Sequence, residues 1–166
     1  MTMNSEQDTT ATAEMIFTMG LPGAGKSTVI KKNKIGEGAT VIDPDAVKET
    51  HPDYDPKDPQ ALHVWSKKIT DKQFADACFA GEGKFIIDGT GTNAEKMVGK
   101  MRQAQSAGFT CKLLYVQVSL ATSLKRNAAR ERNVPEYVVR EKSEDIATSF
   151  DIVARYADEV TVISND

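Results

Sequence analysis

Cysteine is nearly absent from this chain. Cys78 and Cys111 stand apart, with no C-x-x-C spacing and no histidine cluster beside them. That argues against a disulfide framework or a zinc site and fits two small core residues in a reducing compartment. Long apolar runs are missing too, so nothing approaches the roughly 20 residues of a membrane-spanning helix. The polar, threonine-rich stretch 1–14 lacks the basic start and apolar core of a signal peptide; it reads as a disordered tail, and the expected address is the cytoplasm. Nor is there an excess of basic charge. Lysine and arginine total 21 against 24 acidic residues, a net charge of −3, which is not the balance of a protein that coats nucleic acid. The remainder, 40% hydrophobic and 27% charged, is ordinary globular composition. Residues 15–166 are enough for one domain with a proper core.

One short segment carries most of the information. Gly20-Leu21-Pro22-Gly23-Ala24-Gly25-Lys26-Ser27 fits the phosphate-loop pattern G-x-x-x-x-G-K-[ST], and Thr28 follows it. The apolar run Met15 to Met19 precedes it as a strand, and Thr28 to Lys32 can open a helix, which is the context the mechanism needs. Glycines at 20, 23 and 25 let successive amides turn inward as an anion nest, and the following helix adds its positive end. Lys26 supplies a point charge for the outer phosphates of a nucleoside triphosphate, and the Ser27 hydroxyl is placed as a magnesium ligand.

Strand-like runs alternate with helical patterns along the rest of the chain. Strands are expected at 39–43, 84–88, 110–118 and 159–163. Helices are expected at about 44–49, 60–80, 93–107 and from 121 to about 157, the last broken near Asn133-Val134-Pro135. Pro52, Pro56 and Pro59 keep the intervening stretch irregular. Gly108 sits where a left-handed helix cap belongs. Continuous apolar strands separated by helices predict an α/β fold, a parallel sheet covered on both faces, with ligands at the carboxyl ends of the strands.

The candidate chemical residues fall at those ends. Asp43-Pro44 reads as a helix cap with proline at the first helical position. Asp45, in the first turn, can accept the proton of an attacking hydroxyl or simply complement the helix dipole. Lys48, one turn on, can pair with Asp45 or hold an anionic substrate. Phe85-Ile86-Ile87-Asp88 has the form of a Walker B strand, which places Asp88 near the magnesium and its waters. Thr90, in the following glycine-rich turn, faces the cleft, and Thr92 is a candidate cap for the next helix. Between Ala121 and Lys142 there are six basic residues, Lys125, Arg126, Arg130, Arg132, Arg140 and Lys142, against three acidic ones. Arg126 and Arg130 are four apart and share a helical face. Arginines on a mobile lid can meet charge developing on a transferring phosphoryl group, whereas a solvated basic face is the plainer reading. His51 carries no signal, His63 reads as a packed histidine, and Trp65 and Phe74 read as core.

Four stretches together resemble the zeta-toxin-like branch of AAA-type P-loop kinases, related to the kinase domain of phage-type polynucleotide 5′-hydroxyl kinase. They are Gly20 to Thr28, Val41 to Lys48, Phe85 to Thr92, and Leu124 to Val138 with its Arg130-Glu131-Arg132-Asn133-Val134-Pro135 run. The resemblance implies a three-layer α/β/α sandwich, a five-stranded parallel sheet in the order 2-3-1-4-5, and an arginine-bearing helical lid. It implies ATP and Mg2+ as cofactors, with Asp45 as general base. Lys26, Arg126 and Arg130, with Arg132 as a further candidate, would stabilise the phosphoryl group, and Asp45, Lys48, Thr90 and His63 would face the acceptor. Zeta-type kinases phosphorylate a nucleotide-sugar, and the polynucleotide kinases a nucleic-acid 5′ end; either acceptor, or a hydroxylated DNA base, satisfies the shared chemistry. An antitoxin-type protein partner belongs to the same resemblance. The chain departs from it at Val64, where zeta toxins usually carry an acidic residue after the histidine, and at Lys48, where the polynucleotide kinases carry arginine. A nucleotide switch or hydrolase would need a residue that orients water, typically glutamine, and none stands in these motifs.

Overall fold

In the computed structural model, residues 12–58, 60–131 and 133–166 are described. Five parallel strands form one sheet in the order β2-β3-β1-β4-β5, with β1 at Ala13–Met19, β2 at Thr40–Ile42, β3 at Gly83–Ile87, β4 at Thr110–Gln117 and β5 at Glu159–Ser164. Ile16 at the centre lies opposite Ile86 of β3 and Lys112 of β4. Six helices complete the described chain: α1 (Lys26–Lys32), α2 (Pro44–Lys48), α3 (His63–Ala80), α4 (Ala94–Ser106), α5 (Leu120–Ala129) and α6 (Glu136–Val153).

Strand alternation divides the core. Met15, Phe17 and Met19 point to the face covered by α3, α4 and α6, where they meet Phe74, Met101, Ile146 and Val153. Ile16 points the other way and meets Val29 of α1 together with Ile86, Leu114 and Val116. This second layer is thinner, and at its edge Val41 of β2, in register with Ile86, stays exposed; on the other face Val160 and Val162 of β5, in register with Leu113 and Tyr115, are exposed as well. Cys111 is fully buried, and burial pushes its thiol up to about 12, Asp158 adding to the effect. A thiol held that far from ionisation is structural.

Local signals set most boundaries. The Asp43 carboxylate accepts from the Asp45 amide at 2.9 Å with Pro44 inside the first turn, so α2 begins where the sequence places it. Gly108, at φ +98°, closes α4 as expected. Three expectations need correction. The cap of α4 is Asn93, whose side chain accepts from the Lys96 amide at 3.1 Å, not Thr92. β1 starts at Ala13, two residues inside the supposed tail, because Ala13 and Glu14 pair with Gly83 and Lys84. Trp65 is not core. Helix α3 begins at His63, after Leu62 at φ +67°, and its first turn faces outward. Val64 is left 71% exposed, and Trp65 packs edge-on against His51 with ring centroids 4.7 Å apart. Phe74, two turns further in, is the buried aromatic.

Candidate active site

The turn after β1 is bent by two residues that only glycine accommodates easily, Gly23 at φ +81° and Gly25 at φ +82°. Space forbids a side chain as well: a Cβ on Gly25 would stand 2.6 Å from the Asn165 amide nitrogen. Gly20 is needed for a different reason, since a Cβ there would press on the Val116 carbonyl at 3.0 Å. Three side chains then hold the loop from outside. Ser123 of α5 donates to the Pro22 carbonyl at 2.5 Å, Asn165 donates to the Ala24 carbonyl at 2.8 Å, and Arg126 donates to the same carbonyl at 3.4 Å. Every peptide here is trans, so an amide points opposite to the carbonyl it follows. Tying down the carbonyls of Pro22 and Ala24 therefore turns the Gly23 and Gly25 amides away from α5, and both glycines line the cleft. Helix α1 starts at Lys26 and adds its positive end.

That cleft, of about 850 Å³, runs along the carboxyl ends of the central strands. Residues 22 to 28 of the loop line it, as do Asp45, Lys48, His63, Asp88, Thr90, Arg126 and Arg130. Gly20 and Leu21 do not: Leu21 is 3% exposed and packs into the core. Lys26 donates to the Gly20 carbonyl at 3.0 Å. Its burial lowers the ammonium's pKa, opposed chiefly by the nearby Asp88 carboxylate, while Arg130 lowers it further. Asp88 sits at the end of β3, its Oδ1 accepting from the buried Thr18 hydroxyl at 2.7 Å, and Thr18 in turn accepts from the Gly89 amide at 3.1 Å. Thr90 shapes the loop through its backbone, accepting from the Gly20 amide at 3.0 Å.

Asp45 carries Lys48 at 3.4 Å, and Lys48 is itself 3% exposed, so this lysine is part of the wall of the cleft. His63 is exposed at the cleft rather than packed among apolar neighbours; burial of its ring lowers its pKa, with Lys48 and Lys96 adding to the effect.

The basic segment separates into distinct fates. Arg126 lies on α5, whereas Arg130 lies just past its end with extended backbone, so the two share the cleft but not a helical face. Asn127 brackets the turn between α5 and α6, donating to the Val134 carbonyl at 2.8 Å and accepting from the Val134 amide at 3.1 Å. Lys125 is exposed, and Arg140 pairs with Glu136 at 2.9 Å, an acidic partner that reduces the excess read from the sequence. Arg132 lies outside the described residues. Lys142 of α6 enters the cleft, where burial lowers its pKa and Asp45 opposes the shift.

Thr18, Ser123 and Asn165 act on the loop or its surroundings from sequence positions that no motif marks, and Asn127 lies inside the Leu124 to Val138 stretch without a role readable from it. Lys96, Lys100 and Lys142 line the cleft from α4 and α6 without a motif either. Only their helical phase, read against a known sheet, distinguishes them from solvated lysines.

A phosphate loop following the central strand of a parallel 2-3-1-4-5 sheet defines a P-loop NTPase-like fold. The chain belongs to the AAA domain family, whose profile matches residues 15–152. Solved structures share the fold. A chain of the PezAT chromosomal toxin–antitoxin system of Streptococcus pneumoniae is 15% identical with TM-score 0.67, covering 99% of this chain and 73% of that one. A chain of the AvrRxo1-ORF1:ORF2 complex with ATP is 16% identical with TM-score 0.58, covering 89% of this chain and 49% of that one. Deoxyadenosine kinase from M. mycoides with bound dCTP is 14% identical with TM-score 0.55, covering 92% and 90%.

Proposed function

We propose that this protein is an ATP-dependent kinase that moves the γ-phosphate to a hydroxyl of a small molecule or nucleotide-sugar, with Asp45 as general base. One observation carries the reading: the anion nest with Lys26 and the Asp45 carboxylate open into the same cleft, close enough that Asp45 contributes to the field at Lys26. The triphosphate tail lies in the nest, its outer oxygens against Lys26. Asp45 accepts the proton as the acceptor oxygen bonds to γ-phosphorus and the bridging bond to ADP breaks. Arg126 and Arg130 face the oxygens on which charge grows, and the turn bracketed by Asn127 keeps Arg130 over the cleft.

Ser27 and Asp88 offer a hydroxyl and a carboxylate oxygen to a divalent cation. That pair of oxygen donors suits Mg2+, which keeps its waters and shares substrate phosphates. When bound, Mg2+ supplies charge neutralisation between the outer phosphates. Two structural neighbours are described as parts of two-protein systems, which supports looking for a protein partner here.

The test is transfer from labelled ATP to nucleotide-sugars, phosphorylated small alcohols, nucleosides and 5′-hydroxyl oligonucleotides. Asp45→Asn should lose at least about a hundredfold in transfer, the lower range for a general acid–base group, while Mg–ATP affinity stays within about threefold. Unchanged turnover in that variant removes Asp45 from the mechanism. Release of free phosphate with no acceptor phosphorylated, across the whole panel, would replace the kinase reading with a hydrolase.

A further inference from the structure

The central strand buries one hydroxyl. Thr18 is fully buried, the single polar residue in the otherwise apolar run from Met15 to Met19. Valine has nearly the same volume and fits a buried strand at least as well, so the hydroxyl is a cost unless it finds partners. It finds two. It donates to Asp88 Oδ1 at 2.7 Å and accepts from the Gly89 amide at 3.1 Å. The Gly89 carbonyl, at 3.3 Å, is the poorer acceptor for the one hydroxyl proton, because the carboxylate is nearer and charged.

Sheet register explains the meeting. β1 and β3 run parallel with Phe17 opposite Ile87, and one step further along Thr18 comes level with Asp88. The turn after Asp88 has backbone anchors of its own. The Thr90 carbonyl accepts from the Gly20 amide at 3.0 Å, and the Gly91 carbonyl accepts from the Ser149 hydroxyl of α6. Gly91, at φ +80°, lies so close to Met19 that a Cβ would stand 2.4 Å from its side chain. What Thr18 adds to these anchors is a bond to a side chain. Among the described residues it is the one hydrogen-bond donor to the Asp88 carboxylate, which lines the cleft. That bond restricts how the carboxylate can turn.

We propose that Thr18 is a positioning residue: its hydroxyl holds the Asp88 carboxylate in the orientation in which it meets the divalent cation that accompanies the triphosphate. The inference rests on the nucleotide and Mg2+ reading above and adds to it a residue that lies before the phosphate-loop motif. Groups that orient a metal-binding side chain typically change metal affinity by roughly 10- to 100-fold when removed. The nest of amides that receives the phosphates is built elsewhere, so affinity for metal-free nucleotide should be spared.

The experiment measures uptake of a non-hydrolysable ATP analogue by calorimetry, once in EDTA and once with saturating Mg2+. Mg2+ should tighten uptake by the wild type by about tenfold or more. In Thr18→Val that gain should shrink to within about threefold, while affinity for the metal-free analogue stays within about threefold of wild type. Thr18→Ser, which keeps the hydroxyl, should retain most of the gain. Because Thr18 acts through Asp88, adding Thr18→Val to Asp88→Asn should weaken uptake of the Mg2+ complex by no more than about a further threefold.

A full Mg2+ gain in Thr18→Val overturns the proposal. So does an equal weakening of the metal-free and Mg2+ forms, the pattern of a purely structural hydroxyl, and so does a larger further loss in the double variant. If Thr18→Val does not fold, Thr18→Cys carries the comparison: its thiol is a weak donor, so the gain should fall by about threefold or more, and a full gain there overturns the proposal equally. These failures leave the kinase reading standing. A wild type whose uptake ignores Mg2+ removes the cation from Asp88 and this proposal with it, whereas absence of any uptake removes the kinase reading as well.

Discussion

The two halves of the cleft are built on opposite plans. The loop half is a single stretch of backbone, bent at Gly23 and Gly25 and held from outside by Ser123, Asn165 and Arg126. In the proposed function its ligand contacts are peptide amides, whose directions are fixed once the carbonyls are tied. The other half is lined by long side chains from different helices, Lys48 from α2, Lys96 and Lys100 from α4, and Lys142 from α6. Lys48 reaches Asp45 at 3.4 Å and Lys100 reaches Asp71 at 3.6 Å, contacts between flexible side chains rather than with backbone. A rigid nest suits a ligand part common to every nucleoside triphosphate, and a wall of side chains suits the part that differs between substrates.

The contrast is most strongly tested at the loop. Gly25→Ala forces a Cβ into left-handed backbone and against Asn165. We expect Mg–ATP affinity to fall by roughly a hundredfold or more, with a stability loss of about 1–3 kcal/mol from the strained residue, read by calorimetry and thermal melts. Near-normal ATP affinity in a folded Gly25→Ala protein would break the picture of a preset nest. Asn127→Ala removes both bonds to Val134 from a side chain that is 4% exposed. It should cost about 1–3 kcal/mol in denaturant unfolding and lower turnover more than nucleotide affinity, because Arg130 loses its bracket. If affinity falls and turnover holds, the bracketed turn serves the loop half instead.

The smallest expected effect belongs to the side-chain half and has a definite sign. Lys96 titrates at about 8 in the folded chain against an ordinary 10.5, so between those values the unfolded chain binds more protons and stability rises with pH. Below about 8 the charged Lys96 is a cost; Lys96→Gln removes it. The variant should be more stable than wild type at pH 7, by less than about 1 kcal/mol because the side chain is exposed and screened. The difference should fade as pH approaches the ordinary lysine value and should shrink in high salt. A variant less stable than wild type at pH 7 would show that Lys96 is not under repulsion.

What the sequence made legible follows the same division. Contiguous features announced themselves: Gly20 to Ser27 by spacing, the Asp43-Pro44-Asp45 cap by residue type, and the parallel sheet by apolar runs between helices. Even the strand order followed from the resemblance those motifs carried. Features assembled across the fold did not. Lys96 sits one turn past the Asn93 cap and looks like any surface lysine until the helix is docked on the sheet. Spacing from Arg126 puts Arg130 on the same helical face, yet α5 ends at Ala129 because Asn127 folds the chain back. Trp65 reads as core because aromatics usually are, but the turn it occupies starts after a left-handed Leu62 and faces solvent. Asn165, more than a hundred positions from the loop it touches, gives no local signal at all.

The central claim is that the loop after β1 holds a triphosphate through its amides and Lys26. Titration of Mg–ATP into the folded wild-type protein and into Lys26→Ala tests it directly. The account predicts saturable binding at one site in the wild type, weakened by about tenfold or more when the Lys26 charge is removed. No uptake by the wild type, or the same affinity in both proteins, would contradict it.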